Sequence, residues 1–461
     1  MSPKASLTSG AVGRTLVALT LPMVVGHYAG VAFNLADTYF VAKLGTSELA
    51  AMSFTFPVVM VIFSISFGMG IGTAAVVSQA IGRGNQHEVK RLTTHALILA
   101  LLAVTAFSLL GILTVGPLFR LLGADEEILR LIKTYMYPWY MGVAFLVVPM
   151  VGNNAIRATG DTRTPSIIMV TSAVLNIVLD PLMIFGWWVF PGMGLAGAAW
   201  ATVVSRAIST AAALFWLTRH HKMLEWSLPK WRQMRDSWKR VMWIGIPTAG
   251  TSILMAVSIG VVTRFVAGFG TAAVAAWGAG TRLESFSMRV IGALSGVMIP
   301  FVGQNWGAGK LDRVRAARRK ALGFAVAWGL GNLVLVSVLA KWIGSQFSEE
   351  PAVIEDIALY LWIVPIGYAL KGAFFISGTI FNAVSRPIRF AGINMFRMFV
   401  LYIPLAWFGG RLLGYSGLLA GVTLANIISG LVAMALLQAL FRQIGVVETR
   451  ANVTRPADCG P

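Results

Sequence analysis

The sequence predicts an all-α integral membrane protein, with twelve transmembrane helices in two pseudo-symmetric halves of six. Three observations lead to this fold class. The 461 residues are 57% hydrophobic and only 12% charged. Apolar runs long enough to cross a bilayer recur along the whole chain, and the second half repeats the first. About 20 apolar residues span a bilayer as a helix, which satisfies its own backbone hydrogen bonds in lipid.

The apolar runs define the predicted elements in chain order. We place twelve spans at residues 15–43, 50–80, 93–117, 129–156, 165–189, 194–218, 241–268, 272–304, 321–345, 354–384, 391–411 and 417–441. Several exceed the minimum length, which indicates tilt, kinks or extension beyond the lipid. The chain then divides into an N-terminal arm, an N-terminal lobe, a basic linker, a C-terminal lobe and a tail, at residues 1–14, 15–218, 219–240, 241–441 and 442–461.

An internal repeat relates the two halves. A shift of 225 residues superposes an ordered series of matches. These are Leu21-Pro22 on Ile246-Pro247, FVAKLGT at 40–46 on FVAGFGT at 265–271, Gln79, Gly82 and Gly84 on Gln304, Gly307 and Gly309, and Tyr135 on Tyr360. Each half carries an even number of spans, so both halves have the same orientation in the membrane. Such parallel repeats are common in transporters, which alternate access by moving the two halves.

The distribution of the basic residues along the chain predicts the membrane topology. Of the 37 Lys and Arg, 25 fall in the arm, the even-to-odd loops and the tail, six fall on the opposite side, and six lie within spans. The positive-inside rule therefore places both termini in the cytoplasm of a cell (inner) membrane protein. It also explains the net charge of +19 without a nucleic-acid partner. The linker carries tryptophans among its basic residues, so it suits an anionic lipid surface.

Two carboxylates are the best indication of function. Asp37 and Asp180 stand inside apolar spans 1 and 5, and neither segment has a Lys or Arg near the acid. A charge at membrane depth costs several kcal/mol by most estimates, so such residues are rare without a task or a partner. Asn34 precedes Asp37 by three residues and Asn176 precedes Asp180 by four. Each amide therefore shares a helical face with its acid and can hydrogen-bond it.

Other charges within the spans have a different interpretation. Arg282, Glu284 and Arg289 lie in span 8, and Lys371 lies in span 10. Buried charges usually pair, so we expect a structural ion network here rather than a second coupling site.

Five motifs carry a family resemblance. They are LPM at 21–23, VSQAIGRGN at 77–85, RATGDTRTP at 157–165, NIVLDPLMIFG at 176–186 and VGQNWGAGK at 302–310. On these motifs the chain resembles the multidrug and toxic compound extrusion (MATE) family. The resemblance implies two six-helix lobes around a central V-shaped cleft, and cation-coupled export of amphipathic, often cationic, compounds.

The acids resemble those of the DinF-like branch of that family. Members of another branch carry important acids in spans 7 and 10, whereas the interior of span 10 here offers Lys371. The resemblance therefore implies a coupling site in the N-terminal lobe, where Asn153, Asn176 and Thr202 join the two aspartates.

The coupling ion stays open between H⁺ and Na⁺. Burial and a second carboxylate both favour the protonated form of a carboxyl group, so an acid pair can take up a proton without further ligands. We favour H⁺ on that ground. Two carboxylates with amide and hydroxyl oxygens also form a hard-cation site, which keeps Na⁺ as the alternative. Pro22 leaves one carbonyl of span 1 unpaired, and we expect either a functional bend there or a fixed packing kink.

Several function classes compete with an antiporter. No nucleophile–base set, metal-ligand spacing or nucleotide-binding loop stands out, which disfavours an enzyme or an ATP-driven pump. A flippase for a lipid-linked substrate is the nearer alternative, but it would need many basic residues in its cleft. A passive channel fits a two-lobe duplication less well. We expect a monomer without a cofactor, which exports amphipathic or cationic drugs and contacts membrane lipids.

Overall fold

The computed structural model describes residues 6–186, 191–227 and 230–453, and its regular secondary structure within these ranges is helical. The N-terminal half contains α1 Val12–Ala42, α2 Thr46–Gly82, α3 Gln86–Leu121, α4 Glu126–Gly142, α5 Ala144–Ala158, α6 Arg163–Phe185 and α7 Leu195–Phe215. The C-terminal half contains α8 Trp231–Val266, α9 Thr271–Gly307, α10 Leu311–Val338, α11 Ala340–Phe347, α12 Pro351–Ile363, α13 Tyr368–Ala383, α14 Pro387–Met395 and α15 Ile403–Val453. Residues 187–189, the end of the predicted fifth span, lie outside the described ranges.

The predicted membrane-spanning helices are confirmed. Ten helical segments in the described ranges are long and apolar enough to cross a membrane, and α4 with α5, bent by 43°, makes an eleventh. The last segment, Pro387–Gln443, contains the predicted spans 11 and 12. Its backbone leaves the helical region at Leu413 and Gly414, where φ of Gly414 is +66°. That break separates the two spans.

Corresponding turns follow α2 and α9. Gly84 and Gly309, which the repeat superposes, adopt φ values of +75° and +71°. Glycine takes this left-handed conformation without the penalty that a Cβ imposes, so it commonly ends a helix. After the first turn, Asn85 Oδ1 accepts a hydrogen bond from Glu88 N at 3.0 Å and caps α3. The glycine at the end of each repeated motif, Gly84 or Gly309, therefore terminates the preceding helix.

The chain divides into two compact units. The first comprises residues 1–254, 292–320 and 382–388, and the second comprises 255–291, 321–381 and 389–461. Within the first unit, helices approach closely where glycines face a backbone. A Cβ added to Gly68 or Gly72 would overlap the carbonyl oxygens of Gly245 and Val241 on α8. Small residues allow such close packing of membrane helices.

Candidate functional site

The two predicted acids come together in the first unit. Asp37 lies on α1 and Asp180 on α6, and these helices pack against each other. The exposed fractions of Asp37 and Asp180 are 5% and 0%. The two carboxyl groups interact electrostatically. Acids separated by more than one hundred residues along the chain thus form one buried pair.

Asn176 holds one acid of the pair. Its Nδ2 donates to Asp180 Oδ1 at 3.1 Å and lies 3.5 Å from Thr202 Oγ1 on α7. The hydrogen bond to Asp180 is the i,i+4 contact that the sequence spacing predicts. It leaves Asp180 Oδ2, Asp37 Oδ1 and Asn176 Oδ1 buried without a hydrogen-bond partner. Unpaired buried oxygens are costly, and they can be satisfied by a proton on a carboxyl group or by a hard cation.

Asn34 and Asn153 are the other two amides predicted for the site. Asn34 is exposed, and its Nδ2 donates to Gly30 O at 2.9 Å on its own helix. Its amide therefore serves the preceding turn of α1 rather than Asp37. Asn153 on α5 is buried, with an exposed fraction of 7%, and its Oδ1 has no hydrogen-bond partner.

Arg206 is a site residue that the sequence analysis missed. It lies on α7, where its guanidinium Cζ sits 4.7 Å from the centroid of the Phe33 ring. It also interacts electrostatically with Asp37. The segments around the acids lack cations, yet a third helix supplies one. The available signal was its position, since Arg206 is one of the six basic residues within predicted spans.

Tyr135 is the second missed residue. It lies on α4, is 5% exposed, and interacts electrostatically with both Asp37 and Asp180. Its match to Tyr360 in the internal repeat marked it, but the sequence did not connect it with the acids. The structure therefore brings four helices, α1, α4, α6 and α7, to one polar centre.

Pro22 lies inside the continuous helix α1, on the same helix as Asp37. A proline has no N–H, so the carbonyl of Ala18 lacks its helical donor. The helix is weakened at that turn, well before the acid.

The second unit contains part of the predicted ion network. Lys371 Nζ forms an ion pair with Glu284 Oε1, and Tyr360 Oη donates to Glu284 Oε2 at 2.8 Å. Arg282 and Arg289 are exposed on α9. The expected pairing of buried charges is therefore present for Glu284 and Lys371, whereas the two arginines lie on the surface of the protein.

The motif residue Asp161 lies in the turn between α5 and α6, outside the spans. His221 Nε2 lies 3.3 Å from Asp161 Oδ2, and Thr164 N donates to Asp161 Oδ1 at 3.0 Å. Burial acts to raise the pKa of Asp161, but the hydrogen bonds from His221 and Thr164 outweigh it and lower the pKa to about 2. These contacts connect the start of α6 with His221, which follows α7 along the chain.

Comparison with known proteins agrees with the fold and the repeat. The MatE family model matches residues 22–182 and again residues 247–408. A FAD transporter of Shewanella oneidensis is 38% identical over 95% of this chain and 97% of its own length. The multidrug export protein MepA of Staphylococcus aureus is 24% identical over 93% of this chain and 94% of its own. The crystal structure of the Vibrio cholerae MATE transporter VcmN in the bent form is 30% identical, covers 94% of this chain and 97% of its own, and superposes with a TM-score of 0.89.

These similarities define the class of protein. The two MatE matches together cover well over half of the chain and begin at Pro22 and Pro247, which the repeat superposes. The fold is that of a multi-pass membrane transporter, and not of an enzyme. The chain belongs to the MATE family. Its assignment to the DinF-like branch stays a prediction.

Proposed function

We propose that this protein is a secondary active antiporter that exports amphipathic or cationic compounds in exchange for H⁺. Asp37 and Asp180 would carry the ion. The observation that supports this proposal is the buried pair of carboxyl groups, which retains unpaired oxygens on Asp37, Asp180 and Asn176. A site that must bind and release an ion needs ligands that other side chains do not already satisfy.

The neighbouring residues give each acid a distinct environment. Asn176 donates to Asp180, and Arg206 offers a positive charge to Asp37. Proton uptake by Asp37 would remove its attraction to the guanidinium of Arg206, and release would restore it. Such a change alters the contact between α1 and α7. The same oxygens suit Na⁺, which stays the alternative coupling ion.

Pro22 would convert that change into motion. The turn at Pro22 lacks one backbone hydrogen bond, so α1 bends there at a lower cost than elsewhere. Protonation of Asp37 would bend α1 and displace the substrate from the N-terminal lobe. Full export and full ion exchange in Pro22→Ala would contradict this role.

The charge distribution supports a proposal for the cellular setting. We propose an inner-membrane monomer with both termini in the cytoplasm, divided into the arm, lobes, linker and tail predicted above. The basic linker would lie on the lipid surface of the cytoplasmic leaflet.

Transport in proteoliposomes tests the proposal. The purified protein is reconstituted with a cationic dye, and H⁺ and Na⁺ gradients are imposed separately. We expect dye movement under one gradient, and its loss in Asp37→Asn and Asp180→Asn at normal protein yield. Asp312→Asn, which removes an exposed carboxylate of the same first unit, is the matched control and should keep full transport. A response to neither gradient would overturn the antiporter proposal.

A second candidate substrate is flavin adenine dinucleotide. The observation that favours it is the 38% identity to a FAD transporter across nearly the full length of both chains. Export of this anionic substrate would use the same acid pair for ion coupling. Uptake of FAD into inverted membrane vesicles, compared between this protein and its Asp37→Asn variant, tests this candidate. Uptake no greater than in vesicles without the protein would exclude FAD as a substrate, and equal uptake by both proteins would exclude its coupling through Asp37.

A further inference from the structure

The second unit holds a buried arginine that no carboxylate pairs with in the described part of the chain. Arg397 has an exposed fraction of 2%. Its Nη2 donates to Asn426 Oδ1 at 2.7 Å, and its Cζ lies 4.6 Å from the centroid of the Phe374 ring. Its Nε and Nη1 have no hydrogen-bond partner. A buried, uncompensated charge costs several kcal/mol, so a fold retains it only where something repays the cost.

Neighbouring groups leave the positive charge of Arg397 uncompensated. Lys371 interacts electrostatically with Arg397, and its own charge is offset by Glu284. The cluster therefore keeps one positive charge in excess. Asn426, which accepts from Arg397, leaves its donor Nδ2 buried without a partner, and Asn394 leaves both its Nδ2 and its Oδ1 unpaired. Unpaired donors around an unpaired cation are the complement of an anion.

The internal repeat relates the helices of Arg397 and Asn426 to spans 5 and 6, where the charge is of the opposite sign. In the N-terminal half, Asn176 of span 5 approaches Thr202 of span 6, beside Asp180. In the C-terminal half, Arg397 of span 11 bonds Asn426 of span 12. The same pair of helices in each half thus carries a polar centre, acidic in one and basic in the other. The segment Phe396–Tyr402 is also π-helical, a rare geometry that often occurs at functional sites.

We infer that Arg397, with Asn426 and Lys371, binds the phosphate group of a transported aromatic anion. A guanidinium presents a planar fork of donors that matches phosphate oxygens, and two of its nitrogens are free to take this role. Because Arg397 is almost fully buried, its surroundings must open when the ligand enters. This inference rests on the second candidate substrate, since a cationic drug would be repelled here.

Thermal unfolding of the detergent-purified protein tests the site. Its probes are inorganic pyrophosphate, riboflavin 5′-phosphate and uncharged riboflavin, each at equal ionic strength. We expect pyrophosphate and riboflavin 5′-phosphate to raise the Tm of the wild type, and riboflavin to raise it less. Arg397→Gln should abolish the difference between the two flavins, and Arg397→Lys, which keeps the charge without the fork, should retain part of it. Arg264→Gln removes an exposed arginine of the same unit and should behave as the wild type.

The possible results distinguish a failure of the anion site from a failure of the flavin-transport proposal. Stabilisation by pyrophosphate that depends on Arg397, without any flavin effect, supports the anion site and excludes flavin as the substrate. Equal effects of both flavins that survive Arg397→Gln would overturn the site while leaving flavin transport intact. If added phosphatidylglycerol abolishes the pyrophosphate effect, the ligand is a lipid phosphate, and the assignment to a transported anion is overturned. No stabilisation by any anion would also overturn it.

Discussion

Gln79 and Gln304 make the same hydrogen bond at positions related by the internal repeat. Gln79 Nε2 donates to Ala383 O at 2.7 Å, and Gln304 Nε2 donates to Ala158 O at 2.8 Å. The 225-residue shift superposes the two donors and also the two acceptors. Both bonds lie within the first compact unit. The duplication read from the sequence is therefore a symmetry of contacts.

These glutamines should stabilise the first unit. Gln304→Ala leaves the buried carbonyl of Ala158 without this donor, and it also removes the acceptor of Leu7 N. We expect a loss of about 1–3 kcal/mol in the free energy of unfolding. Gln79→Ala should cost a similar amount. Thermal unfolding in detergent measures both, with the exposed Gln346→Ala as the control. Equal Tm values for Gln304→Ala and Gln346→Ala would show that the bond contributes nothing.

The glycines next to these glutamines should resist enlargement. A Cβ added to Gly82 would overlap Gln304 O, and one added to Gly307 would overlap Gln79 O. Gly82→Ala must push α2 and α9 apart, and overpacking of this kind costs typically about 1–3 kcal/mol. Gly250→Ala is the matched control, because its added methyl meets no neighbour within 4 Å and improves the helix propensity of α8. Comparison of the two unfolding curves checks the prediction, and a Gly82→Ala variant as stable as Gly250→Ala contradicts it.

Tyr135 and Tyr360 occupy equivalent positions of the repeat but should act differently. Tyr135 interacts electrostatically with the acid pair, whereas Tyr360 donates to the ion-paired Glu284. We expect Tyr135→Phe to reduce ion-driven transport severalfold at a nearly unchanged Tm. Tyr360→Phe should instead lower the stability by about 1–3 kcal/mol, since it removes a hydrogen bond to a charged group. Transport and Tm are measured on both variants. If Tyr135→Phe transports normally, the hydroxyl plays no part in coupling.

Asp161 should make part of the stability depend on pH. Its pKa is lowered to about 2 in the folded protein, from an ordinary value of 3.8. The folded state is therefore more stable when Asp161 is ionised than when it is protonated. Its contribution is complete above pH 3.8 and is lost as the pH falls through about 2. It amounts to no more than about 2 kcal/mol at neutral pH, because the side chain is partly open to solvent.

The variant Asp161→Asn checks this dependence. It should lower the Tm at pH 7, and the deficit relative to the wild type should shrink as the pH approaches 2. Asp312→Asn, at a carboxylate that is 95% exposed, should show neither effect. A deficit in Asp161→Asn that is the same at all pH values would attribute it to lost packing rather than to the charge.

The helices, the repeat and the identity of the acids were all predictable from the amino-acid order. Hydropathy and chain order decide these features, since each span must be apolar over its own length. The i,i+4 bond between Asn176 and Asp180 was predictable for the same reason, because both residues lie on one helix. Asn34 shows that helical spacing alone does not predict which hydrogen bond forms. It lies one turn from Asp37, yet its amide bonds the nearer carbonyl of Gly30, a local partner that polar side chains commonly choose.

Which helices share a polar centre depends on how they pack in three dimensions. Arg206 on α7 and Tyr135 on α4 interact electrostatically with the acids, and no pattern along α1 or α6 predicts these interactions. The sequence does not distinguish Arg397 from the other basic residues within spans. Its surroundings in the structure leave two of its nitrogens without a hydrogen-bond partner. The reason is physical. A charge inside a membrane protein is defined by its nearest partner, and that partner is set by how helices rotate and pack, which local sequence does not encode.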